Sequence, residues 1–230
     1  MADRIDNLIA AILADDRIAV EGLLAQEPEL ARTEVPSAWF EPGITHWIYA
    51  GDTPLHVAAA AHRPEIVRLL VAAGAGANVN GRHRGAQPLH YAADGSPECD
   101  AGATGRQVST LETLLQSGAN LHAQDKNGAT PLHRAVRARC AAATQFLLGA
   151  GADVTLRNQP GSAAFHLAVQ NTGHSGSGSE AAKAAQREII LTLLKHGVSP
   201  AIRDAAGRSV LDWARSEWIR QLLTGPDPRN

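Results

Sequence analysis

Aromatic side chains are scarce, no long apolar run is present, and neither sign of charge dominates. Aromatics make up 4% of the 230 residues, whereas alanine and leucine dominate the apolar share of 44%. That balance disfavours a β-sandwich core and favours helices packed closely on small side chains. The formal net charge of −2 excludes a global basic field of the kind that drives non-specific nucleic-acid binding, so any affinity for anions must come from local patches. Two cysteines, Cys99 and Cys140, make neither a CxxC pair nor a disulfide framework and fit a reducing compartment, with the cytoplasm as the expected location. The opening MADRIDNLIAAILADDR has acidic residues on both sides of a short amphipathic run. It lacks the charge order of a signal peptide and is too short to cross a bilayer, so a folded, non-secreted N-terminus without a membrane partner is expected.

What the chain does contain is repetition. TPLHVAA, QPLHYAA, TPLHRAV and SAAFHLAV align on His56, His90, His133 and His166, and SVLDWA places Asp212 at the same point. The spacings are 34, 43, 33 and 46 residues, two near a common period and two lengthened by about ten or more. Each histidine is followed by a second apolar block and a glycine, as in VRLLVAAGA, LETLLQSGAN, TQFLLGAGAD and LTLLKHGVSP. The pattern predicts a helix, a turn and a second helix. Pro54, Pro88 and Pro131 fall in a first helical turn, where proline costs no hydrogen bond. Gly74, Gly118, Gly151 and Gly197 fall where a left-handed residue ends the second helix. Connectors such as LHAQDKNGAT are rich in turn formers. One such unit cannot bury its own apolar face, so neighbours must stack.

These motifs resemble the ankyrin repeat, whose 33-residue unit carries T-P-L-H-x-A. Three segments match strongly and two in register with substitutions. The resemblance implies an all-α repeat solenoid of about six helix-turn-helix units with hairpin-like connectors. The expected organisation is a degenerate capping repeat over 1–32, an aromatic insertion over 33–52 and repeats over 53–86, 87–129, 130–161 and 162–208. A C-terminal cap over 209–223 and a tail over 224–230 complete it. Insertions interrupt the second and fourth of those repeats near 94–106 and 172–185.

Ten histidines invite metal or acid–base chemistry, but none pairs with His, Cys or a carboxylate at a ligand spacing such as HExxH. The resemblance gives the four motif histidines a structural role, bonding locally and to the next repeat. The segment TGHSGSGSE departs from G-x-S-x-G at Ser177 and follows a helix rather than a strand, so it reads as a flexible loop. Cys140 follows Arg139 where glycine is usual and reads as a buried small hydrophobe. No metal, cofactor or catalytic residue is expected.

Ankyrin repeats bind other proteins through a concave surface of hairpin tips and first helices, so the residues that vary there are the candidates. Tyr91, Asp94, Arg134 and Arg137 fall on a shared helix face, with Gln170 in the corresponding place of a later repeat. Insertion 33–52 holds Trp39, Phe40, Trp47 and Tyr49, four of the nine aromatics, and either covers the end of the core or presents anchors to a ligand. Two functional readings follow. In the first, the chain is a non-catalytic module that binds a protein partner through its concave face and insertions. In the second, the insertions wall the groove into a pocket for a small anionic molecule, held by Arg134 and Arg137. Tyr91, Asp94, His46 or His174 would then be the proton-transfer groups.

Overall fold

A computed structural model describes residues 2–41, 44, 46–96, 101–171 and 178–225. Among the described residues the α-helices form six consecutive pairs. These are α1 (Ala2–Leu13) with α2 (Arg17–Gln26), α3 (Pro54–Ala60) with α4 (Pro64–Ala72), and α5 (Pro88–Ala93) with α6 (Ala101–Gln116). They continue as α7 (Pro131–Arg137) with α8 (Ala141–Gly149), α9 (Ala164–Ala168) with α10 (Glu180–Lys195), and α11 (Val210–Trp213) with α12 (Glu217–Thr224). First helices stack on first helices along the whole array, and second helices on second helices. One apolar cluster runs from Ile5 to Ile219. Fully buried Ala58, Ala59, Ala92, Ala93, Ala135 and Ala168 line its first-helix layer, where small side chains let neighbouring backbones approach closely. Apart from three isolated antiparallel bridges, the described residues make no strand pairing.

The motif histidines explain the regularity. His56 Nδ1 accepts from the Thr53 amide at 3.0 Å, and its Nε2 donates to the Ala86 carbonyl of the following connector at 3.1 Å. His90 repeats this with Gln87 N and Ala129 O, and His133 with Thr130 N and Ser162 O. Each ring thus caps its own helix and ties one repeat to the next. Because Nε2 faces a carbonyl, the proton sits there and the ring is neutral. Burial holds all three below the ordinary histidine range, His90 at about 4. In the fourth motif Ala163 stands at the cap position, and His166 Nδ1 has no partner while Nε2 still reaches Arg208 O.

Between first and second helices the chain turns through a left-handed residue, His62 at φ 52° and Arg139 at φ 62°. Their side chains reach forward into the next repeat. His62 Nε2 donates to Asp94 O at 3.1 Å, and the Arg139 guanidinium donates to the carbonyls of Leu167, Ala168 and Gln170. Those carbonyls belong to the two repeats that carry insertions. The described insertion residues become extra turns at the start of α6 and α10, 16 residues each against 9 in α4 and α8. They therefore lengthen the second-helix layer, while residues 97–100 and 172–177 of the insertions lie outside the described residues.

Candidate functional site

The aromatic insertion folds across the first-helix face. Val35 N donates to Asp52 O at 2.7 Å and Gly51 N to Val35 O at 2.8 Å, closing the segment at its base. Trp39 and Ile48 exchange a pair of antiparallel backbone bonds further out. Val35, Ile44 and Ile48 point inward and are buried, which fixes the register by the alternation of side chains. His46 is carried inward with them and is only 8% exposed. Phe40 and Trp47 remain half in solvent, their rings 5.6 Å apart. Trp39 is partly buried against the core.

His46 enters a buried polar cluster assembled from the insertion and two successive repeats. Its ring lies 4.4 Å from that of Tyr91, whose hydroxyl donates to Asp52 Oδ2 at 2.6 Å. Burial, and then the Asp52 charge, push the Tyr91 hydroxyl far above the ordinary phenol range, so it is a donor and not a base. His46 Nδ1 sits 2.6 Å from the Trp47 carbonyl and must carry the proton there, leaving Nε2 to accept from Arg134 Nη1 at 3.1 Å. Arg134 also donates from Nη1 to Asp94 Oδ2 at 3.0 Å and from Nη2 to Asp125 Oδ2 at 2.7 Å. Burial lowers the pKa of His46, and the nearby arginines lower it further against the pull of Asp94. For Arg134 burial is outweighed by Asp94 and Asp125, which hold it charged. Asp125 is likewise kept ionised despite burial, by Arg134 and by the amides of Ala129 and Asn127.

His46, Tyr91, Asp94 and Arg134 are thus brought together, but as a closed structural knot. Arg134 is 2% exposed and meets two carboxylates, so the expectation that it holds an incoming anion does not fit its surroundings. Its neighbour one turn on, Arg137, is exposed instead. Tyr49 stays at the rim, stacked on His83 at 4.4 Å with the Arg84 guanidinium 5.2 Å from its centroid. The side chain of Gln170 is at the surface, while its carbonyl accepts from Arg139 and Gln186. His174 lies outside the described residues.

Beyond the insertion a pocket of about 280 Å³ remains open between the hairpin tips and α7 and α9, with Arg84, Asp125, Arg134, Arg137, Gln159 and Leu167 in its lining. A second cavity of about 400 Å³ lies on the other layer, over the start of α8 and between the lengthened α6 and α10.

Two functional side chains escaped the sequence reading. Gln107 Nε2 donates to Ala92 O and Asp94 O, both at 3.0 Å, and Gln186 Nε2 to Ala168 O and Gln170 O at 2.8 and 2.9 Å. Each closes the frayed end of a first helix that lacks the tight turn. Their signal is an amide opening a buried i, i+4, i+7 stripe: Gln107, Leu111, Leu114 and Gln186, Ile190, Leu193. Arg139, the third capping group, stood out only as a replacement for glycine.

Comparison with known proteins agrees with this architecture. The family described as "Ankyrin repeats (3 copies)" matches residues 8–99 and 101–177. The chain is 30% identical over 204 residues to the B-cell lymphoma 3 protein of Homo sapiens, covering 77% of this chain and 42% of that protein. It is 30% identical over 172 residues to the Ankyrin repeat and SOCS box protein 6 of Homo sapiens, covering 70% and 38%. Over 100 residues it is 42% identical to Rabankyrin-5 of Mus musculus, covering 41% and 8%. The chain therefore spans less than half the length of these relatives. Among the described residues no helix is long and apolar enough to cross a membrane.

Proposed function

Because this chain belongs to the ankyrin-repeat family, whose repeats generally mediate protein–protein interaction, we propose that it is a binding module that holds a protein partner in the part of the concave face its own insertion leaves open. The observation that carries this reading is the division of that face. The insertion fills the N-terminal half through His46, Ile44 and Ile48 and turns Phe40 and Trp47 outward at its rim. The pocket beside Arg137 stays accessible on the C-terminal half. Exposed aromatics next to an open polar groove are the composition of an interface core with its rim. Capture and release of a partner require no group of shifted acidity, and the groups whose acidity is most shifted here are locked in capping and burial roles. The small-anion reading has less support, since Arg134, its principal anchor, is already neutralised. Two cysteines without a CxxC pair or a disulfide framework in the sequence suit the reducing compartment we infer for the module.

Photo-crosslinking tests the assignment. With a benzophenone amino acid at Trp47 or at Gln159, both exposed on the groove side, one partner should be captured from cell extract. The same probe at Glu112, exposed on α6 in the other layer, should not capture it. Equal capture from Glu112, or capture from Glu112 alone, would remove the concave face from the interaction.

A further inference from the structure

The chemistry of the open pocket narrows the kind of partner. It is built by three successive connectors and two first helices. Arg84 comes from the second connector, Asn127 from the third, Asn158 and Gln159 from the fourth, Arg137 from the end of α7 and Leu167 from α9. Backbone bonds between the tips hold this frame in register: Lys126 N to Arg84 O at 2.8 Å, Gln159 N to Asn127 O at 2.7 Å and Ala205 N to Gly161 O at 3.0 Å. The frame is rigid before anything binds, which lowers the ordering cost of binding.

Its charge is one-sided in a chain whose net charge is −2. Two connector carboxylates, Asp125 and Asp204, are turned inward, whereas Asp153 of the fourth connector is exposed and outside the pocket lining. Asp125 takes the Asn127 and Ala129 amides on Oδ1 and Arg134 on Oδ2, and Asp204 takes the Ala206 and Arg208 amides in the same fashion. The cations are turned outward. Among the described residues neither Arg84 nor Arg137 is within ion-pair distance of a carboxylate. The Lys126 ammonium, beside them, donates to the carbonyls of Arg82 and His83. Three arginines and one aspartate line the pocket, so it is net positive even with the Arg134 charge spent on the buried knot. Two guanidinium forks with exposed amide side chains between them match a carboxylate and the peptide groups flanking it. A nucleic acid is a poorer match. No Phe, Tyr or Trp lines the pocket for a base to stack on, the His133 ring in its lining being buried and bonded through both nitrogens, and the cations are grouped rather than strung along a backbone track.

We infer that this pocket anchors a carboxylate side chain of an acidic, extended segment of the partner protein, with Arg84 and Arg137 as the two anion-binding groups. The inference rests on the binding-module reading and adds its specificity.

The probe is a blocked peptide of six glutamates, titrated into the ¹⁵N-labelled full chain while the Nε–Hε signals of Arg84 and Arg137 are followed. Both signals should shift and saturate, and a six-glutamine peptide should leave them in place. Arg84→Gln with Arg137→Gln should weaken the glutamate peptide at least ten-fold. A charge-matched control, Arg187→Gln with Arg215→Gln on exposed positions elsewhere, should stay within two-fold. The amide spectrum of each variant reports whether its fold is intact. Equal shifts with the glutamine peptide, or equal weakening in the control variant, would overturn the pocket. Displacement of the peptide by an equal concentration of inorganic phosphate would reassign it to a free anion and overturn the peptide assignment. Crosslinking from Gln159 reports on the groove whatever its charge preference. Retained crosslinks with a failed titration would therefore sink the anchor and leave the module reading standing.

Discussion

Replacing Arg134 by methionine keeps most of the buried stem and removes the charge that joins two repeats and the insertion. In the native protein this guanidinium meets Asp94 and Asp125, whose side chains are 9% and 1% exposed, and donates to His46. The variant strands two buried carboxylates without their cation. Removing one member of a buried ion pair costs about 3–5 kcal/mol, most of it from the charge left unpaired. For a chain of this size each kcal/mol lowers the melting temperature by about 2–4 °C, so a fall of about 10 °C is expected by circular dichroism. Arg137→Met, one turn further on and exposed, should change stability by no more than about 0.5 kcal/mol. The triple variant Asp94→Asn, Asp125→Asn, Arg134→Met removes the stranded charges and should recover at least half the loss. The dependence on pH supplies a sign. Native Asp125 is held below the usual carboxylate range, so its contribution is present above its unfolded pKa and is lost as pH falls through the folded one. Without Arg134 the carboxylate resists ionisation, and the deficit of the variant should shrink as pH falls from 7 towards 4. If Arg134→Met costs no more than Arg137→Met, or its deficit grows on acidification, the buried-knot account is wrong.

The repeat was legible because its signals are local. Proline at the first turn, a histidine three residues after the cap, and a glycine ending the second helix all act within a few residues of where they are read. The candidate site was legible only in part, for the complementary reason. Tyr91, Asp94 and Arg134 could be placed on one helix face by periodicity, and they do meet. What decides their role arrives from afar: Asp125 from the preceding connector, Asp94 from 40 residues away and His46 from 88. No periodicity reveals that a loop of 20 residues will carry its histidine onto the third and fourth helix pairs. Arg134 therefore reads from sequence as a surface cation, whereas Arg137, of the same type and on the same helix, is one. The other insertions misled differently. Gly/Ser content suggests loops, but the alanine-rich stretch before Gln186 continues a helix whose apolar stripe was already in place.

Two further perturbations probe the scaffold. Burial lowers His62 and His90 to about 4, so the folded chain binds fewer protons than the unfolded one between that value and about 6.5. Stability should hold above pH 6.5, decline as pH falls and lose about 3 kcal/mol per histidine by pH 4; a melting temperature unchanged between pH 7 and 5 would refute the neutral-ring assignment. The last test separates backbone strain from contact. Gly118 and Gly128 both have positive φ, 84° and 68°, but a Cβ on Gly118 would meet nothing within 4 Å, whereas one on Gly128 would lie 2.8 Å from Gln159 N. Alanine at either position pays the left-handed strain of about 1–2 kcal/mol. At Gly128 it must also displace the amide that donates to Asn127 O, adding about 1–3 kcal/mol for a broken bond between adjacent tips. Gly128→Ala should accordingly melt several degrees below Gly118→Ala and loosen the frame that sets Arg84 and Arg137 side by side. Equal melting temperatures would mean that the tips are not held by that ladder, and the pocket would lose its claim to be formed before its ligand arrives.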